Sequence, residues 1–102
     1  MNEKILIVDD EENICFTLGR FLSDEGYEVT IAGDVETALE KVEKTDFDLV
    51  FADILLRGRS GTEILEAVND RQKNCPVVMI TGVPTIETAS EAVRLGAFEY
   101  LS

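Results

Sequence analysis

The run Ile5-Leu6-Ile7-Val8 is apolar at every position, so a strand here must be covered on both of its faces. The same kind of run recurs at Leu49-Val50-Phe51-Ala52 and at Val77-Val78-Met79-Ile80. A sheet with one wet face would alternate apolar and polar residues; unbroken runs belong to a parallel sheet held between helical layers. Between the runs the apolar period switches to 3.6 residues. Ile14, Leu18, Phe21 and Leu22 form one helical stripe, and Val35, Ala38, Leu39 and Val42 a second. Gly61, Ile64, Leu65 and Val68 form a third, and Ile86, Ala89 and Val93 a fourth. The expected strands are 4–8, 28–32, 48–52, 76–80 and 97–101. Right-handed crossovers then bring the carboxyl end of every strand to one rim of the sheet.

Boundary signals agree with this alternation. Gly26 and Gly96 are placed to end helices in the left-handed conformation, Asp34 precedes a helix, and Ser60-Gly61-Thr62-Glu63 reads as a capping box. No repeat, low-complexity tract or linker interrupts the pattern. With 102 residues, 45% of them hydrophobic, the chain makes one domain that buries about 60–65% of its unfolded surface.

A formal charge of −12, with nine Lys plus Arg and no His, excludes a direct nucleic-acid surface, which needs cations to displace counterions from phosphates. No apolar run approaches the roughly 20 residues of a membrane span, and Met1-Asn2-Glu3-Lys4 does not open a signal peptide. A cytoplasmic chain without a membrane partner is expected. Cys15 and Cys75 are isolated thiols without CxxC spacing, expected to be reduced and structural.

The residues that carry chemistry close the strands. Asp9 and Asp10 follow the first run and Asp53 the third, and a folded domain gains nothing from carboxylates at the rim of its core unless a cation or an electrophile meets them. Each also has an ordinary reading. An acidic pair after a strand complements the macrodipole of the next helix, Asp53 can be a loop carboxylate, Thr81-Gly82 a turn, and Tyr100 an edge aromatic.

Taken jointly and in order, Ile5-Leu6-Ile7-Val8-Asp9-Asp10-Glu11, Asp53 with Gly61 eight residues on, Thr81-Gly82, and Leu95-Gly96-Ala97-Phe98-Glu99-Tyr100-Leu101 resemble the receiver domain of bacterial two-component response regulators. The resemblance covers the whole chain, and the segment from Thr81 to Leu101 looks most like receivers of nitrogen-regulator-class activators and of hybrid kinases. It implies a flavodoxin-like (CheY-like) α/β fold: a five-stranded parallel sheet of order 2-1-3-4-5 with helices on both faces, over a receiver domain spanning 1–102. That order makes the first and third strands neighbours, and so brings Asp9, Asp10 and Asp53 together.

The resemblance also implies roles. Asp53 is the phosphoacceptor for a sensor histidine kinase or phosphotransfer protein, so the chain is a phosphoacceptor module and not an enzyme. Mg²⁺ suits hard oxygen ligands with no imidazole at hand, bound by Asp10 and Asp53, by Asp9 partly through water, and by the backbone carbonyl of Leu55. Thr81 and the Gly82 N–H contact the phosphoryl group, and Tyr100 is the switch aromatic. Output passes to another domain or a downstream partner, with a phosphorylation-dependent dimer among the assemblies this permits.

Three departures from the family pattern stand out. The family's lysine beyond the switch aromatic would fall just after Ser102, and no helix follows the fifth strand, so a C-terminally truncated fragment of a longer protein, lacking its last helix, is expected. Arg57 stands where the family commonly has proline. Leu55 and Val83 are apolar where some members orient a water, which implies slow dephosphorylation. Two other function classes remain: a degenerate receiver that docks partners without phosphorylation, and an aspartyl-nucleophile phosphatase, for which no cap or substrate-pocket segment exists. A flavin module is disfavoured because Asp9-Asp10-Glu11-Glu12 would repel phosphate.

Overall fold

The computed structural model describes residues 3–53, 55, 56, 59–71, 74–80, 94, 96, 97 and 99–101. The elements run β1 (Lys4–Val8), α1 (Glu12–Asp24), β2 (Glu28–Ala32), α2 (Val35–Lys44), β3 (Leu49–Asp53), β4 (Leu55–Leu56), β5 (Arg59–Ser60), α3 (Thr62–Arg71), β6 (Val77–Ile80) and β7 (Glu99–Leu101). Five strands form one sheet in the order β2-β1-β3-β6-β7, every pair parallel. In terms of the five expected strands this is the order 2-1-3-4-5. The stripe Ile86, Ala89 and Val93, expected to be a fourth helix, lies outside the described residues.

Successive residues of β1 point to opposite faces, and both faces are covered. Leu6 and Val8 join the larger core with Ala38 and Val42 of α2 and Ile64, Leu65 and Val68 of α3. Ile5 and Ile7 pack on the other side against Cys15 of α1, with Leu18, Leu22 and Phe51 around them. The unbroken apolar run Ile5–Val8 of β1 is thus explained by helices on both sides of it.

The first two strands fall where the apolar runs place them. β3 is shifted by one residue, because Asp53 pairs with Ile80 at its end while Asp48 leaves the ladder to bond Lys4 at its start. β6 begins at Val77 because Pro76 has no N–H to give, although its carbonyl accepts from Val50 N–H at 3.1 Å. Gly26 and Gly96 take φ of 97° and 86°, the left-handed region expected of them. Asp34 caps α2, its side chain accepting from Thr37 N–H at 2.7 Å.

Three local features depart from the expected pattern. The loop after Asp53 carries a short antiparallel hairpin, Leu55 opposite Ser60 and Leu56 opposite Arg59. The cap of α3 is Gly61, whose carbonyl accepts from Ile64 N–H at 3.0 Å. Ser60 stands one residue earlier, its hydroxyl accepting from Thr62 N–H at 3.2 Å and bonded to Thr62 Oγ1 at 2.8 Å. On α1 the buried side is rotated from the expected stripe: Cys15 and Gly19 are buried, whereas Ile14 and Phe21 are 43% and 60% exposed. Gly19 lies on the buried side, where a Cβ would stand 3.2 Å from Ile31 Cδ1, so α1 packs close on β2 at this point.

Candidate functional site: three carboxylates at the sheet rim

Parallel register carries the acids to one place. Val8 pairs with both Ala32 and Ala52, so Asp9 and Asp53 are the next residues on adjacent strands. Carboxylate oxygens of Asp9, Asp10 and Asp53 all lie within 4.8 Å of one another. Asp9 is buried, at 6% exposure, and the other two are half-buried.

Asp9 is held at three points. Its N–H donates to the Ala32 carbonyl at 3.2 Å, its Oδ1 accepts from Glu11 N–H at 2.9 Å, and its carbonyl accepts the Cys15 thiol at 3.3 Å. The Glu11 bond is an Asx turn, which reverses the chain from β1 into α1. Acids at this turn also complement the positive end of α1, so the pair Asp9 and Asp10 needs no ion to explain it. The third carboxylate arrives from a neighbouring strand, outside that turn.

Two unit negative charges at 4.8 Å repel by about 3 kcal/mol at an effective dielectric near 20, less where water reaches Asp10 and Asp53. A divalent cation turns that repulsion into binding. Adjacent oxygens around Mg²⁺ stand about 3 Å apart and opposite ones about 4 Å, so small side-chain rotations close this cluster on an ion. The donor set, hard oxygens without imidazole, fits Mg²⁺ or Ca²⁺. Beside the cluster, toward β2, a cleft of 680 Å³ has Asp9, Asp10, Glu12 and Asp34 in its walls and Phe16 and Ile31 at its apolar side. Its charge repels anions and nucleic acid alike.

Of the remaining residues singled out in the sequence, Leu55 is the first residue of β4, two positions past Asp53, and Tyr100 pairs with Met79 across the β6–β7 ladder. The side chains of both lie outside the described residues, as do Thr81, Gly82 and Val83. Sequence reasoning assigned Cys15 no chemistry, yet its thiol touches the backbone of Asp9. Burial and the Asp9 charge push that thiol above its ordinary value of 9.0, which keeps the S–H donor in place. The signal that could have found it is phase: Cys15, Leu18 and Leu22 share the face of α1 that meets the strands.

Residues 5–102 match the family described as the response regulator receiver domain. The chain belongs to that family. Receivers are phosphoacceptor modules of two-component signalling, and this is the function of the chain. The receiver is 39% identical over 103 residues to the nitrogen assimilation regulatory protein NtrX of Azorhizobium caulinodans, an alignment covering 99% of this chain and 23% of NtrX. It therefore spans less than a quarter of that curated relative. In fold it matches the crystal structure of a response regulator from Burkholderia pseudomallei with a phosphorylated aspartic acid, calcium ion and citrate: TM-score 0.93, 32% identity, 98% of this chain and 59% of that one. It also matches the response regulator TrrA of Thermotoga maritima in complex with Mg(2+)-BeF: TM-score 0.84, 33% identity, 97% and 84% covered. Metal ions thus accompany receivers of this fold, and the acids of this receiver form a cluster able to take one. No described helix is long and apolar enough to cross a membrane.

Proposed function

We propose that Asp53 is the phosphoacceptor of this receiver and that Asp9, Asp10 and Asp53 hold a Mg²⁺ beside it. The observation that carries the reading is the convergence of three carboxylates from two adjacent strands within 4.8 Å. The two neighbours with a phosphorylated aspartic acid or with Mg(2+)-BeF support the chemistry by likeness.

Asp53 attacks the phosphorus of a phosphohistidine on a sensor kinase or phosphotransfer protein. An O–P bond forms as the N–P bond breaks, and the imidazole leaves. A Mg²⁺ held by Asp9, Asp10 and Asp53 would supply the positive charge that offsets the phosphoryl oxygens. Asp9, tied to Glu11 N–H, holds the turn in place, and Asp9, Asp10 and the Leu55 carbonyl would join Asp53 in holding the ion. Ile80, which precedes Thr81, pairs with Asp53. Thr81 hydroxyl and Gly82 N–H then donate to the new phosphoryl group, and Tyr100 on β7 follows Thr81 inward. The altered α/β face is what an output domain or downstream partner reads, through a phosphorylation-dependent dimer in one arrangement.

We place the receiver in the cytoplasm with its two thiols reduced, as part of a longer regulator with transcriptional output, in keeping with the NtrX likeness. It is modified once per donor and turns over no substrate. The test is incubation with acetyl phosphate and excess Mg²⁺ followed by intact mass analysis. One phosphoryl adduct per chain, abolished by EDTA, is the expected result. Catalytic release of phosphate without an adduct supports a phosphatase instead, and neither adduct nor release supports a phosphorylation-independent docking module.

A further inference from the structure

Cys15 makes two bonds to the turn that bears the acids. Its N–H donates to the Glu11 carbonyl at 3.2 Å, the ordinary helical bond, and its thiol reaches two residues further back to the Asp9 carbonyl at 3.3 Å. A hydroxyl or thiol inside a helix usually turns back to the carbonyl four residues earlier. Here it leaves the helix and ties α1 to the end of β1, clasping the segment Asp9–Glu11 at both ends. The thiol is buried, at 5% exposure, between Ile5 and Ile7 and the cleft beside the acids.

We propose that Cys15 is a positioning residue: its S–H, given to the Asp9 carbonyl, fixes the peptide plane between Asp9 and Asp10 and so keeps both carboxylates turned toward Asp53. The Asp9–Asp10 peptide can rotate only if that carbonyl swings, and the thiol opposes the swing. That plane ends at Asp10 Cα and is followed by the peptide whose Glu11 N–H donates to Asp9 Oδ1, so its orientation bears on both the hydrogen-bonded turn and the acid cluster. A thiol is a weak donor, and its effect is therefore a trimming of the site, not a condition for folding.

The effect on metal binding rests on the function proposed above; the effect on the turn does not, and the experiment reads both. Cys15→Val and Cys15→Ala bracket the thiol in size and lack a donor, whereas Cys15→Ser keeps one. Amide hydrogen exchange followed residue by residue, without metal, is expected to show the Glu11 N–H exchanging about fivefold faster in the Val and Ala variants, with Ser near the native rate. The amides of Ala38 and Val68 on the far face serve as the control for general loosening and stay unchanged. Calorimetric titration with MgCl₂ is expected to weaken by a similar factor in the same two variants and to recover in Ser. Unchanged Glu11 exchange in Val and Ala, or a Ser variant as fast as they are, overturns the proposal. A native chain that binds no Mg²⁺ overturns the metal reading alone, and the exchange data still decide the role of Cys15.

Discussion

Asp48 and Asp53 stand five residues apart at opposite ends of β3, and their surroundings differ completely. Asp48 Oδ2 accepts from Lys4 N–H at 2.7 Å, while Asp48 N–H donates to the Lys4 carbonyl at 2.7 Å, so this acid stitches the start of β3 to the start of β1. At the other rim Asp53 meets Asp9 and Asp10 within 4.8 Å. One carboxylate is spent on the backbone; the other is gathered with its own kind. The difference follows from strand direction: in a parallel sheet the helices begin at the carboxyl rim, where turns such as Asp9–Glu11 put acids side by side, and the amino rim has only strand starts to close.

The sharpest way to break the comparison is to neutralise each acid in turn. Asp53→Asn should slow labelling by acetyl phosphate by about a hundredfold or more, because the nucleophile is gone, while Asp48→Asn stays near the native rate. Comparable losses in the two would erase the distinction between the rims.

Metal response separates the rims next. Mg²⁺ at a hundred times its dissociation constant adds about 2.7 kcal/mol, which raises the melting temperature of a domain this size by about 10 °C. Asp10→Asn should remove that rise and also melt a few degrees higher than the native chain without metal, because like-charge repulsion is relieved. Asp48→Asn should do the reverse, melting lower by the loss of one hydrogen bond, about 1 kcal/mol, and keeping the full Mg²⁺ response. Melting curves with and without MgCl₂ check both statements.

How far these positions could be read in advance depended on the kind of signal. The bounds of β1 and β2 followed from apolar periodicity, the order of the strands came with the family resemblance, and the meeting of Asp9, Asp10 and Asp53 followed from that order. The rotation of α1 did not, because Ile14 and Phe21 are as apolar as Leu18 and Leu22, and periodicity cannot choose between two apolar sides of one helix. The buried side is the one that carries Cys15 and Gly19, where α1 comes close to Ile31 of β2. The hairpin of Leu55–Leu56 with Arg59–Ser60 is too short to leave a period of its own. Phase with Leu18 and Leu22 puts Cys15 on the face of α1 that meets the strands, but the bond from its thiol to the Asp9 carbonyl needed coordinates.

Smaller effects sharpen each rim separately. At the carboxyl rim, Leu55→Asn should shorten the life of the aspartyl phosphate by giving an attacking water a partner, measured as decay of the labelled protein after donor removal; equal or slower decay in the variant would count against the slow dephosphorylation expected of Leu55. At the amino rim, burial and then the Asp48 charge push the Cys75 thiol from 9.0 to about 11. The folded state therefore holds that proton more tightly than the unfolded state. The contribution is full below pH 9 and fades as pH rises toward 11. Replacing Cys75 with Val should flatten the fall in stability across that window, by less than about 1 kcal/mol since the thiol is not wholly desolvated. Urea melts of both proteins at pH 8 and pH 10.5 provide the comparison.

The position that carries the phosphoryl group decides whether Asp53 is the acceptor. Borohydride reduces an aspartyl phosphate to homoserine, so labelling with acetyl phosphate and Mg²⁺, reduction, and peptide sequencing by mass spectrometry locate the acceptor directly. Homoserine at position 53, in one copy per labelled chain, is the predicted result. Homoserine at position 9, 10 or 48, or at none of the acids, would contradict it.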